Sequence, residues 1–202
     1  MDVCTRKTAI IRTTRQLIIR NGIRAVRIDD IAEVMGISKR TVYETFSAKA
    51  ELVQTCLKEI ERDIRQKVSA TSVYSGQNPI ARVLALTEEC IDLLHNTERS
   101  FWYDIKYMPE YRHIFSGIKK YVLHETVAAM DVCRREGYIK TDTDTILFSE
   151  ILLSSLYRAR LDHHPYPHQI TFGHIMIRGI AETPGIVWLD KIRKDNNPVI
   201  NR

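Results

Sequence analysis

The sequence contains no long apolar run, and its first residues do not resemble an export signal. No segment of the 202 residues approaches the roughly 18 consecutive apolar residues of a membrane-spanning helix. The first ten residues, MDVCTRKTAI, lack the apolar core of a signal peptide. We therefore expect a cytoplasmic protein that has no membrane partner.

Cysteine is scarce and widely spaced. The four cysteines are Cys4, Cys56, Cys90 and Cys133, and they form neither a CxxC motif nor a Cys/His ligand pattern. This spacing predicts reduced, structural thiols rather than disulfides or a metal centre. A redox-active thiol is the alternative, because reactivity depends on exposure and on a lowered pKa rather than on spacing.

Enzyme motifs are missing from residues 79–202. That part of the chain contains no GxGxxG, P-loop, GxSxG or HExxH sequence. The histidine-rich segment DHHPYPH, residues 162–168, is divided by two prolines that prevent i,i+4 pairing of its histidines on one helix. The sequence predicts a loop at this segment, and it predicts no catalytic residue, no cofactor and no metal ion.

Positive charge is concentrated in the first quarter of the chain. Residues 1–50 hold ten Lys and Arg against five Asp and Glu, whereas the remaining residues hold 20 of each sign. The net charge of +5 therefore lies at the N-terminal end. A basic segment on a neutral body favours a polyanionic partner, although a merely solvated basic surface would have the same composition.

Hydrophobic periodicity predicts helices along nearly the whole chain and no strands. Gly22 is placed to end the first helix in a left-handed conformation, and Ser38 is placed to cap the third. We predict a linker at residues 71–79 and an all-α fold, with a domain at residues 1–50 and a larger helical bundle at residues 51–202. The other helices are predicted at about 28–35, 48–69, 79–96, 100–107, 110–136, 142–162, 168–182 and 184–195.

A short segment near the N-terminus has the features of a helix-turn-helix. The segment IDDIAEVMGISKRTVYETFSAKAEL, residues 28–52, joins two helical patterns through a single glycine, Gly36. Gly36 tolerates positive φ at the bend, and Ala32 allows the helices to approach each other. Apolar residues at suitable spacing should hold the pair together: Ile28, Ile31, Met35, Ile37 and Val42. The second helix would then present Lys39, Arg40, Thr41 and Glu44 to the DNA major groove.

This segment resembles the DNA-binding part of the tetracycline-repressor (TetR) family of bacterial transcription regulators. The resemblance covers about residues 8–55 and rests on Ile31, Ala32, Gly36, Ser38, Lys39, Thr41, Tyr43, Phe46, Lys49 and Leu52. It implies a recognition helix that begins after Ser38, a tyrosine that contacts phosphate and a lysine at the start of the fourth helix that contacts phosphate. The DNA-binding residues that we predict are Arg27, Ser38, Lys39, Arg40, Thr41, Tyr43 and Lys49.

Two positions depart from the family pattern. Arg40 replaces the usual glycine and is long enough either to read guanine or to meet a phosphate. Arg27 replaces the Ser or Thr that usually caps the second helix, which predicts a lost cap and a phosphate contact instead. Arg6 and Lys7 are expected before the first helix, where they would either contact DNA or form a mobile charged terminus.

An aromatic cluster predicts a small-molecule pocket in the helical body. Residues 101–115 hold six of the chain's sixteen aromatic side chains, and aromatic-lined concave sites bind small apolar ligands. Ordinary core packing is the alternative for any one of these rings. The resemblance implies an unidentified effector, and the lining residues that we predict are Cys90, Leu94, Trp102, Tyr103, Tyr107, Tyr111, Met130 and Phe148.

Broad apolar faces near the C-terminus predict a homodimer. The resemblance implies that the last two long helices pair with those of a second subunit, and burial within the monomer is the alternative. The interface residues that we predict are Ile151, Leu152, Leu156, Ile175 and Ile180. Two subunits would place their recognition helices about 34 Å apart, or at a related separation, for the half-sites of an inverted repeat.

The sequence thus predicts a ligand-responsive homodimeric repressor that binds double-stranded operator DNA and is not an enzyme. One alternative is a DNA-binding protein whose helical body binds a protein partner and no small molecule. Another is an enzyme that carries an incidental helix-turn-helix. The sequence does not specify the effector, the operator, the regulated genes or the sign of regulation.

Overall fold

The computed structural model describes residues 3–76 and 78–194 of the chain. These residues form α-helices and no β-strand, and one isolated antiparallel bridge joins Ile139 to Ala181. The all-α prediction is confirmed. The helices are α1 (Val3–Asn21), α2 (Ile28–Met35), α3 (Lys39–Thr45), α4 (Lys49–Ala70), α5 (Pro79–His95), α6 (Arg99–Tyr107), α7 (Arg112–Arg135), α8 (Thr145–Leu161), α9 (Tyr166–Ile180) and α10 (Thr183–Lys194).

The helix boundaries near the N-terminus follow the predicted capping residues. The Ser38 side chain accepts a hydrogen bond from the Thr41 backbone N–H at 3.1 Å and so caps α3. Gly22 and Gly36 end α1 and α2 with φ of 85° and 63°, which is the left-handed region that favours glycine. The backbone N–H of Ile37 bonds to the Ala32 carbonyl at 3.0 Å and completes the tight turn.

Two predicted local features were wrong. Arg6 and Lys7 do not precede the first helix but lie within α1, and the Lys7 Nζ is 5.4 Å from the centroid of the Phe46 ring. Residues 71–76 form a 3-10 helix rather than an open linker. The Asn78 side chain accepts a hydrogen bond from the Ile80 N–H at 3.0 Å, so that the chain enters α5 directly.

The chain divides into two compact units. The first comprises residues 1–64 and 96–118, and the second comprises residues 65–95 and 119–202. The first unit therefore combines the three N-terminal helices with most of α4, all of α6 and the first turns of α7. The predicted division into a DNA-binding domain at residues 1–50 and a helical bundle at residues 51–202 stays a prediction.

The core of the first unit is built from the residues that the helix-turn-helix pattern requires. Ile28, Ile31 and Val42 are buried, as predicted, whereas Met35 and Ile37 are half-buried. Ile18 and Phe46 are buried with them. Fully burying side chains of this size contributes about 1.5–3 kcal/mol each. This core orients α2 and α3 relative to each other.

The core of the second unit is the α5 interface with α8 and α9, where α5 is buried along most of its length. Among the described residues, no helix is both long enough and apolar enough to cross a membrane.

The tight packing of α6 against Gly22 gives a stability prediction. A Cβ at Gly22 would lie 2.8 Å from the Ser100 Oγ and 2.9 Å from its Cβ, whereas a Cβ at Gly36 would meet nothing within 4 Å. Both substitutions to alanine incur the left-handed cost of about 1–2 kcal/mol, but only Gly22→Ala adds overpacking of about 1–3 kcal/mol. We expect urea unfolding to show a larger loss of unfolding free energy for Gly22→Ala than for Gly36→Ala. Equal losses would contradict the tight contact with α6.

Candidate nucleic-acid interface

The outward face of α3 is the candidate reading surface. Tyr43 is 45% exposed, and Lys39, Arg40 and Glu44 are exposed as well, whereas Val42 on the opposite side is buried. The structure therefore brings together the predicted residues Ser38, Lys39, Arg40 and Tyr43 on the accessible part of one short element. Thr41 is half-buried, and its Oγ1 lies 2.9 Å from the Ser38 Oγ, so this pair is occupied in helix capping.

Both cations at the start of α3 are paired with carboxylates. The Lys39 Nζ lies 2.9 Å from the Asp29 Oδ2, and the Arg40 Nε lies 3.0 Å from the Glu44 Oε1. The hydrogen bond and the charge of Asp29 raise the pKa of Lys39 above its ordinary value. The sequence predicts the cations but misses their partners, although the i,i+4 spacing of Arg40 and Glu44 is a visible signal.

Arg27 is exposed at the start of α2, where it precedes the first helical turn. Its guanidinium has no acceptor with which to cap the helix. A different bond forms at the start of α2: the Asp30 carboxylate, three residues further along, accepts the Arg27 backbone N–H at 2.7 Å. The predicted loss of a cap from the side chain at position 27 is confirmed, and the Asp30 bond is an additional contact that the sequence analysis did not predict. The phosphate contact of the exposed Arg27 side chain stays a prediction.

Lys49 lies at the start of α4, as predicted, and makes a contact within the protein. Its Nζ donates to the Ile23 carbonyl at 2.9 Å, which ties the start of α4 to the loop between α1 and α2. Burial lowers the pKa of Lys49, while the nearby Asp104 and Asp30 oppose that change. The structure therefore assigns Lys49 a structural contact, and its phosphate contact stays a prediction.

Asp104 of α6 holds the same loop from the other side. The buried carboxylate accepts the Arg24 backbone N–H at 2.9 Å and lies 3.3 Å from the Arg24 Nε. The Glu98 N–H bonds to the Ile19 carbonyl at 2.9 Å, which fixes the start of α6 against the end of α1. No sequence pattern predicts the bond between Arg24 and Asp104, because 80 residues separate them along the chain.

The predicted pocket residues fall in different units. Trp102 and Tyr111 are buried in the first unit. Tyr103 and Tyr107 of the same unit are exposed, and the centroids of their rings are 4.6 Å apart. The other four predicted lining residues, Cys90, Leu94, Met130 and Phe148, lie in the second unit.

A separate open cleft of about 420 Å³ lies between α8 and α9, and none of the predicted pocket residues lines it. Its walls include Arg158, Asp162, His164, His168 and Phe172.

The predicted dimer residues divide by exposure. Leu152 and Leu156 are fully buried within the second unit, so they pack its own core and do not reach a partner. Ile151 and Ile175 are exposed, at 45% and 63%, and Ile180 is half-buried. Only the outward members of the predicted set are therefore available for association.

The three buried thiols are in their unreactive, protonated form. Burial raises the pKa of Cys56, Cys90 and Cys133 to about 12, which keeps each thiol protonated near neutral pH. Cys4 is exposed on α1. Cys4 is therefore the cysteine left for the redox alternative, and a single exposed thiol is not a redox site by itself.

The geometry of α2 and α3 defines a helix-turn-helix, and the basic first quarter of the chain suits a polyanionic partner. Residues 10–56 match the model of "Bacterial regulatory proteins, tetR family". The match places the N-terminal segment of the chain, from α1 to the start of α4, in that family. The similar proteins are regulators of transcription rather than enzymes.

Individual relatives are similar to most of the chain. The chain is 23% identical over 181 residues to the HTH-type transcriptional regulator YvaF of Bacillus subtilis (strain 168), covering 83% of this chain and 87% of the relative. A TetR transcription regulator from Haloarcula marismortui superimposes with a TM-score of 0.75 at 18% identity, over 89% of this chain and 100% of its own. A putative transcriptional regulator from Saccharomonospora viridis, in complex with choline, superimposes with a TM-score of 0.74 at 17% identity, over 89% and 99%. These structural likenesses show the fold.

The clamp on the α1–α2 loop gives a prediction for Asp104. Asp104→Ala leaves the Arg24 backbone N–H without its acceptor, which should lower the free energy of unfolding by about 1–3 kcal/mol. Asp104→Asn keeps an acceptor oxygen and loses only the pair with an Arg24 side chain that is 59% exposed, so its cost should be about 0–1 kcal/mol. Urea denaturation of both variants checks this order. Equal losses for Asn and Ala would show that the ion pair, rather than the backbone bond, holds the loop.

Proposed function

We propose that this regulator is a cytoplasmic homodimer that represses transcription by binding an inverted-repeat operator in double-stranded DNA. The observation that carries the proposal is the exposed face of α3, where Arg40 and Tyr43 stand beside a capped turn. The side chain of Arg40 is 88% exposed. Outward arginine and tyrosine at the start of such a helix can reach base edges and phosphates.

The direct test is fluorescence anisotropy of the full chain against DNA from upstream of its own gene, titrated at several salt concentrations. We expect tight binding to one fragment with a steep salt dependence, since phosphate contacts release counterions. In Arg40→Ala, a lost base contact should weaken specific binding by about 1–3 kcal/mol and relax the preference at one base pair. Equal weakening for every DNA sequence would instead make Arg40 a phosphate contact. Absence of binding even at low salt would overturn the operator proposal.

Dimerisation is proposed through the exposed apolar residues of α8 and α9. Ile151 and Ile175 project apolar surface into water, and an isologous interface would bury both in each subunit. A protein partner for the helical body is the second candidate, because the same exposed residues would suit a different chain.

Charged substitutions test whether the exposed isoleucines form a homodimer or bind a different protein. We expect Ile151→Asp with Ile175→Asp to halve the sedimentation mass of the protein, because the pairing would bury unpaired carboxylates. Val187→Asp is the matched control, since Val187 of α10 is 65% exposed and lies outside the proposed interface. A wild-type chain that sediments as a monomer would favour the protein-partner candidate.

Ligand response completes the proposal. The complex of the Saccharomonospora viridis regulator with choline is a precedent for a small molecule bound to this fold. An effector acts only through a difference in affinity between the DNA-competent conformation and another one. Loss of anisotropy from the operator complex on adding a compound would identify such an effector. A complex that resists every compound in a broad library would weaken this part of the proposal.

A further inference from the structure

The start of the recognition helix carries two cations and no net charge, once its partners are counted. Lys39 pairs with Asp29 of α2, and Arg40 pairs with Glu44 one turn further along α3. All four side chains are more than half exposed. A surface that only attracted phosphates would gain nothing from these two carboxylates, because each of them repels the DNA backbone.

The Arg40 pair leaves a particular set of donors available. Its Nε donates to the Glu44 Oε1 at 3.0 Å, and the N–H groups of the two terminal nitrogens remain for another acceptor. Two such parallel N–H groups match the O6 and N7 acceptors of guanine in the major groove. Glu44 therefore occupies a guanidinium donor, the Nε–H, that an end-on contact with guanine does not use.

We propose that Glu44 determines specificity by orienting Arg40 toward guanine and by excluding phosphate from the same guanidinium. This inference rests on the proposed operator binding and names the base that one residue reads. A phosphate beside Arg40 would place two anions around one cation, close to the Glu44 carboxylate. The guanine edge is a neutral acceptor and avoids that repulsion. Of the two roles that the sequence leaves open for Arg40, base reading is the one that Glu44 favours.

The Lys39–Asp29 pair provides a contrast within the same surface. The lysine ammonium is a point charge with rotatable donors on a flexible stem, whereas the guanidinium is a rigid fork. Asp29 can therefore lower the attraction of Lys39 for phosphate, but it does not impose the geometry of a base contact. Removing either carboxylate deletes the same charge from the reading surface, and only the removal of Glu44 should change the preference at the base that Arg40 reads.

The test begins with selection from a pool of DNA duplexes that carry a randomised segment, using the full wild-type chain. A panel of duplexes with single base-pair changes in the selected sequence then gives relative affinities for the wild type, Arg40→Ala, Glu44→Ala and Asp29→Ala. Arg40→Ala identifies the base pair that Arg40 reads. Exposed ion pairs of this kind contribute little to stability, so thermal unfolding should show that all variants fold.

We expect Arg40→Ala to lose a guanine preference and Glu44→Ala to reduce that same preference by about fivefold or more. Glu44→Ala and Asp29→Ala should each raise the affinity for random duplex by about twofold or more, because each removes a negative charge facing the backbone. Asp29→Ala should retain the full preference at the Arg40 position.

The outcomes separate the two levels of the proposal. A wild-type chain that selects no sequence would overturn the proposed operator binding itself. Selection of a sequence in which Arg40→Ala weakens all duplexes alike would refute base reading by Arg40. An unchanged guanine preference in Glu44→Ala would refute the role of Glu44 and leave operator binding intact.

Discussion

The candidate reading surface depends on how the loop between α1 and α2 is held. Asp104 of α6 accepts the Arg24 backbone N–H, and Lys49 at the start of α4 donates to the neighbouring Ile23 carbonyl. The loop leads directly into α2, whose Ile31 and Ala32 are buried in the same unit as Val42 of α3. Two polar contacts, at the consecutive residues Ile23 and Arg24, therefore hold the loop that leads into α2. The apolar core that α2 shares with α3 then orients α3 relative to α2.

Local chemistry was the part of the fold that the sequence could predict. Ser38 and Gly36 determine the ends of α3 and α2 because capping and left-handed backbone need particular residue types within a few positions. The roles of Lys49 and Asp104 were not predictable, because their partners lie 26 and 80 residues away and are ordinary backbone groups. A carbonyl acceptor leaves no mark in the sequence, so a lysine that ties a loop has the same appearance as a lysine that binds phosphate.

The apolar faces of α8 show a second limit of sequence patterns. Ile151 and Leu152 are neighbours along the chain, yet one is exposed and the other is fully buried. A helix turns by about 100° per residue, so an apolar stripe wide enough to include both must face two environments. The pattern correctly indicates more apolar surface than one monomer core requires. Only the packing of α5 against α8 and α9 decides which of these residues face inward.

In the proposed complex, attraction to DNA and selection among sequences would depend on different residues. The excess of five positive charges lies within residues 1–50, and long-range attraction depends on that total rather than on its arrangement. At the start of α3, by contrast, Lys39 and Arg40 are matched by Asp29 and Glu44. Arg15 is likewise paired with Glu59 and Asp63 of α4, away from the recognition helix. On the proposed operator, a reading surface without net charge would gain little from an arbitrary phosphate, so its specificity would come from base edges whose acceptors fit its donors.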